Sequence, residues 1–153
     1  HEKLGVEMNG CRLPHFGNLD AKLAYDLMRE VNYRFSSSVL AALSPTLGAP
    51  YIPVNNIVEF PVAGCPQHPF TAFDTWHCLV KNGGRHAGIG EFFGLGMAAL
   101  DSCCRNGGLL NLYFDPKDVA YLDDFSKLLE VLQEKDIRIA TYAELLSEFE
   151  KTT

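Results

Sequence analysis

Three short stretches carry residue types whose chemistry could be put to use. In Gly10-Cys11-Arg12-Leu13-Pro14-His15, a strand ending in Arg12 would place a guanidinium at the carboxyl end of that strand, and Pro14 forces the following loop outward. A guanidinium there is suited to holding a carboxylate by two parallel hydrogen bonds. Around Trp76, the indole offers a flat apolar face, with His77 as its immediate neighbour. In Tyr113-Phe114-Asp115-Pro116, Asp115 can accept a hydrogen bond, but an ordinary ionised Asp cannot donate a proton at neutral pH. Asp115 ahead of Pro116 also fits a helix start with Pro at the first helical position.

The metal-ligating residues are scattered. No pair among His1, His15, His68, His77 and His86 has the helical spacing of a shared ion, and the five cysteines contain no CxxC clip, so no metal site is expected within this chain. An odd cysteine count with Cys103 and Cys104 adjacent does not resemble a disulfide framework and points to reduced thiols.

The elements that must position these residues alternate between strand and helix. A short strand leads into Arg12, and a helix from Asp20 is marked by Leu23, Ala24, Leu27, Met28 and Val31, with Asn18 or Asp20 as its cap. Tyr33 to Ser38 reads as the next strand, closing into a serine-rich loop, and the prolines between Ser44 and Pro53 mark a further loop. Asn56 to Ala63 reads as a strand, followed by a long irregular stretch from Cys65 to Gly84. Gly88 to Arg105 reads as a helix whose apolar face includes Phe92, Phe93, Leu95, Met97, Leu100 and Cys104. Leu109 to Phe114 reads as a strand covered on both faces, Val119 to Glu134 as a helix, and Ile137 to Ala140 as a last short strand. Thr141 and Glu144 form a capping box for the final helix. This order predicts parallel strands with helices packed outside them, in an open sheet or an incomplete barrel.

Length and composition exclude several classes. The 153 residues suit a single domain over 1–153, and 47% hydrophobic with 21% charged residues is a globular composition. The formal charge of −6, from 19 acidic against 13 basic residues with no basic stripe, argues against nucleic acid as a partner. No apolar run approaches the roughly 20 residues that span a bilayer, so no membrane insertion is expected. His1 in place of Met leads to the expectation that an upstream segment has been removed or was never included.

Taken together, Arg12, Pro14 and the ring of His15, the helix from Asp20 to Val31 and the strand Tyr33 to Ser38 resemble the Arg-x-Pro-aromatic motif and its sequel in the polysaccharide deacetylase family, the NodB-homology domain. Ile57 to Val62, with Glu59 and Pro61, is similar to a further strand of that family, Gly108 to Pro116 to its last motif strand, and Ile137 to Glu144 to its closing strand and helix. The resemblance implies an α/β fold, a distorted, incomplete (β/α) barrel with parallel strands and outer helices. It also implies hydrolysis of N-acetyl or related groups on carbohydrate by a water bound to a divalent metal, zinc above all, held by an Asp and two His.

Those metal motifs precede the Arg motif in the family and are not among these residues. The chain alone is therefore expected to hold no cofactor and to be inactive. By the same resemblance Arg12 orients a general-base Asp, while Pro14, His15, Asp74, Trp76 and His77 line the groove for a glycan or small acetylated substrate. Asp115 stands where the family's proton-donating His normally falls. That departure keeps open a noncatalytic member that binds glycan or protein, and the scaffold also suits an amidohydrolase acting on a small cyclic or ureido compound. An incomplete barrel would expose a strand edge through which copies could associate. Family members are often secreted or in the cell envelope, whereas the cysteines lean towards a cytoplasmic setting.

Overall fold

The structure is a computed structural model that describes residues 8–14 and 21–152. In chain order its main elements are β1 (Gly10–Cys11), α1 (Ala21–Glu30), β2 (Phe35–Ser36), β3 (Val58–Glu59), β4 (Gly64–Cys65), β5 (His68–Ala72), α2 (Glu91–Asn106), α3 (Pro116–Val119), α4 (Asp123–Glu134) and α5 (Tyr142–Thr152). They fall into two compact units, His1–Pro61 with Ala140–Thr153, and Val62–Ile139.

In the first unit β1, β2 and β3 lie side by side in sequence order, all parallel, with Gly10 opposite Phe35 and Phe35 opposite Val58. Gly10 is dictated by this pairing, because a Cβ there would fall 2.4 Å from the Phe35 carbonyl oxygen. The strands are shorter than the sequence pattern suggests. The chain leaves the ladder at Ser37, where hydroxyls and a carboxylate take over the backbone's hydrogen bonds, as described below.

The helix expected from Asp20 forms as α1, with its N-terminal cap candidates outside the described residues. Its buried face differs from the expected one. Tyr25 and Met28 pack on Ile57 with Cys11, Leu13 and Tyr33, whereas Leu23, Leu27 and Val31 are each more than half exposed. The reason is polar. Tyr25 turns inward because its hydroxyl donates to the buried Glu59 carboxylate at 3.0 Å, and that fixes the helix's rotation. The capping box of α5 forms as expected, with Thr141 N–H donating to Glu144 Oε2 at 2.7 Å and Glu144 N–H to Thr141 Oγ1 at 3.3 Å. Tyr142 then stacks on Phe35, ring centroids 4.9 Å apart, and anchors α5 to β2.

The second unit contains a feature the sequence pattern did not suggest. Within the stretch read as irregular, β4 and β5 form an antiparallel hairpin joined by Pro66 and Gln67, with Cys65 opposite His68. Gly64 is required there, since a Cβ would lie 2.4 Å from the Pro69 carbonyl oxygen. Leu109 to Phe114, read as a full strand, contributes one parallel bridge, Tyr113 to Asp74, and Ile137 to Ala140 forms no strand. Among the described residues the parallel ladder therefore has three strands and does not close into a barrel.

The core of this unit is a line of aromatic rings. Phe73 meets Phe92 at 5.3 Å, Phe92 meets Phe114 at 6.1 Å, and Phe114 meets Phe125 at 4.8 Å, with Cys65, Cys78 and Leu95 packed around them. Helix α2 packs against α4, and the buried Asp124 carboxylate accepts the Phe93 N–H, one of the donors that the first turn of α2 leaves without a helical partner. Cys104, placed on the apolar face of this helix by its spacing, is exposed, because the helix end turns that face away beyond Leu100. Among the described residues no helix is long and apolar enough to cross a membrane.

Candidate functional site

In the first unit, Arg12 follows directly on β1, at the carboxyl end of the parallel ladder. Its Nε donates to the Ser37 carbonyl at 3.1 Å, and Nη2 donates to Ser37 Oγ at 2.8 Å and to the Tyr142 hydroxyl at 2.5 Å. Tyr142 donates in turn to Ser37 Oγ at 3.1 Å. The serines after β2 are thus the seat of the guanidinium. They are held by a further layer, in which Ser38 Oγ accepts Leu13 N–H and the Ser36 hydroxyl, while Glu59 Oε1 accepts the amides of Ser38 at 2.6 Å and Val39 at 2.9 Å.

Glu59 is fully buried and is the hub of this arrangement. Its negative charge, after burial itself, pushes the Tyr25 and Tyr51 hydroxyls above their ordinary range. Pro14 is exposed at the turn after Arg12, and His15 lies outside the described residues. No local sequence signal ties Ser37, Glu59 and Tyr142 to Arg12. The serine run was visible, but its pairing with Tyr142, 105 residues away, needed the fold.

In the second unit the structure gathers Asp74, Trp76, His77 and Asp115. Asp74 is 2% exposed, and its carboxylate accepts the His77 backbone N–H at 2.6 Å and pairs with His77 Nδ1 at 2.6 Å. A carboxylate in that position selects the tautomer with the proton on Nδ1 and leaves Nε2 as the atom that exchanges a proton. His77 is a quarter exposed, and Trp76, beside it, is about half exposed. Both lie on a wide helical turn, Trp76–Val80, of the π type that recurs at functional positions.

Asp115 is linked to the same place through its backbone, whose N–H donates to Thr75 Oγ1 at 3.0 Å, and the Asp74 to Tyr113 bridge holds the two segments together. The Asp115 side chain does not cap α3, although Pro116 occupies the first helical turn as expected; it accepts from the Tyr113 hydroxyl at 3.3 Å.

A third group was not anticipated. Cys65, His68 and His86 bring Sγ, Nδ1 and Nε2 within 4.8 Å of one another. A search by helical spacing misses them, because two ligands sit across a hairpin turn and the third arrives from a loop. Neither this set nor the remaining described residues reproduce the Asp and two His of the deacetylase metal site.

Compared with known proteins, the chain matches no family model, no curated protein and no solved structure.

Proposed function

We propose that this chain is the groove-bearing part of a hydrolase of the polysaccharide deacetylase type, acting on N-acetylated carbohydrate. The observation that supports this reading best is the pairing of the buried Asp74 carboxylate with His77 Nδ1, next to the exposed indole of Trp76. Trp76 takes the apolar face of a sugar ring. His77, with Nδ1–H held by Asp74, presents Nε2 to the amide nitrogen and, in its doubly protonated form, gives it the Nε2 proton as the carbon–nitrogen bond breaks and the acyl carbon takes the hydroxyl of water. This moves the donor role from position 115 to an imidazole in the same segment. Asp115, tied to Thr75 and Tyr113, shapes the groove instead.

Arg12 in the first unit is a positioning residue, whose guanidinium orients a carboxylate that serves as the general base. The family's metal, a divalent ion such as zinc, requires motifs that these 153 residues do not contain. Activation of the attacking water therefore lies outside what this chain's own residues perform.

The test uses Trp76, the sole tryptophan, as a reporter. Titration with an N-acetylated oligosaccharide should shift its fluorescence to shorter wavelength and shield it from a soluble quencher, with His77→Gln retaining the response. Unchanged emission up to the solubility of the sugar would refute the proposal. A second reading, a noncatalytic glycan binder, is favoured by Asp115 itself; it predicts the same fluorescence response but no dependence of acetate release on His77 in any catalytically complete form.

A further inference from the structure

The hairpin and the loop after the Trp76–Val80 turn converge on a set of side chains that the hydrolase reading does not use. Cys65 closes β4, His68 opens β5, and the two-residue turn between them places the pair directly opposite each other in the ladder. Adjacent positions of this kind put both side chains on one face of the hairpin. His86 is delivered from the other side, its backbone N–H fixed on the Cys78 carbonyl at 2.8 Å. The result is Cys65 Sγ at 3.8 Å from His68 Nδ1 and at 3.8 Å from His86 Nε2, with the two imidazole centroids 5.4 Å apart.

A tetrahedral ion with Zn–S of about 2.3 Å and Zn–N of about 2.0 Å spaces its ligand atoms about 3.3 to 3.5 Å apart. The two sulfur–nitrogen separations need to close by a few tenths of an ångström, and the two imidazole nitrogens, within 4.8 Å of each other, must also draw together around the ion. A sulfur at 3.8 Å from a nitrogen is at the far limit of a hydrogen bond, so the thiol makes only weak bonds to the two imidazoles. A shared cation satisfies all three.

We propose that Cys65, His68 and His86 form a mononuclear zinc site, with the fourth coordination position open to water or an exogenous ligand on the side of the exposed His68. The donor set, one thiolate and two imidazoles, selects zinc over magnesium or calcium, which take oxygen ligands. Binding is balanced by loss of the Cys65 thiol proton to solvent: the S–H bond breaks, the sulfur keeps the electron pair, and that pair forms the Zn–S bond. His86 is buried beside Cys65, with Nε2 turned to the sulfur. The ion would clip the hairpin to the loop bearing His86, and it is independent of the hydrolase reading.

The experiment loads the chain with cobalt(II) as a spectroscopic substitute and then displaces it with zinc. Expected are one equivalent bound, the visible bands of tetrahedral cobalt, a near-ultraviolet thiolate-to-cobalt transition, and release of about one proton per ion. Cys104→Ser, which removes the exposed thiol, should leave all of these in place. Cys65→Ser should abolish the thiolate transition. His68→Ala, at an exposed position that the fold tolerates, should weaken binding by more than the roughly 10–100-fold that loss of an outer-sphere partner produces. Absence of cobalt binding, a thiolate transition that survives Cys65→Ser, or wild-type affinity in His68→Ala would overturn the site.

Discussion

Glu59 is the residue on which the Arg12 seat depends, and its substitution gives a graded prediction. The carboxylate accepts three hydrogen bonds within the first unit, from the Ser38 and Val39 amides at Oε1 and from the Tyr25 hydroxyl at Oε2. In Glu59→Ala all three donors lose their partner. Each buried donor left unpaired costs about 1–3 kcal/mol, and water entering the vacated space keeps the sum near the lower end, so the loss should be about 3–5 kcal/mol. Glu59→Gln preserves shape and hydrogen-bond count: the amide oxygen keeps both backbone donors, and the Tyr25 hydroxyl can rotate to accept from the new NH2. Only the charge assistance is lost, and the removed desolvation of a buried charge offsets part of it, giving about 1–2 kcal/mol. Urea unfolding followed by far-ultraviolet circular dichroism at pH 7 measures both. The reasoning fails if Glu59→Ala costs less than about 1 kcal/mol, or if Gln is as harmful as Ala.

The remaining predictions concern packing and pH. Gly96→Ala should destabilise by about 1–2 kcal/mol, because its Cβ would lie 2.9 Å from a buried Leu128 methyl where α2 meets α4, outweighing the gain in helix propensity. Gly94→Ala, exposed in the same helix with nothing within 4 Å, should stabilise by about 0.5–1 kcal/mol; thermal melts of the pair read the contrast. Removing the exposed Arg34–Glu150 ion pair with Arg34→Ala should cost at most about 1 kcal/mol and less at high salt. Stability should fall above about pH 9 and more steeply above about pH 10. Cys11, Cys78 (pushed up to about 12), Cys103, Tyr25 and Tyr51 all have pKa values raised in the folded state, chiefly by burial. Their contribution is fully present below the unfolded values and is lost as pH rises past them, so a flat urea midpoint from pH 8 to 11 would contradict it. On the acid side, metal-free His86 has a lowered folded pKa, so stability should decline as pH drops below 6.5, and an unchanged midpoint there would count against its burial.

What could be read from sequence, and what could not, follows from the range of the interactions. The final helix was legible down to its first turn, because the Thr141–Glu144 box is a local device three residues long. Arg12 at a strand end and the Asp74–Trp76–His77 segment were legible as residue types, and the i to i+3 spacing of Asp74 and His77 is itself a local signal for their pairing. The rotation of α1 was not, since apolar periodicity alone favours Leu23, Leu27 and Val31 over a tyrosine whose hydroxyl has a partner 34 residues on. The β4–β5 hairpin was hidden by Pro66 and Pro69, which read as loop punctuation but sit at the turn and in the short β5, and with it the convergence of Cys65, His68 and His86 was lost.

The central claim is that the Asp74–Trp76–His77 segment receives an acetylated sugar. Saturation-transfer difference NMR of this chain with an N-acetylated oligosaccharide tests it without requiring turnover. The account predicts strong saturation of the acetyl methyl and of one ring face, lost in Trp76→Ala while the fold is kept. Absence of saturation in the wild type, or equal saturation in Trp76→Ala, would contradict it.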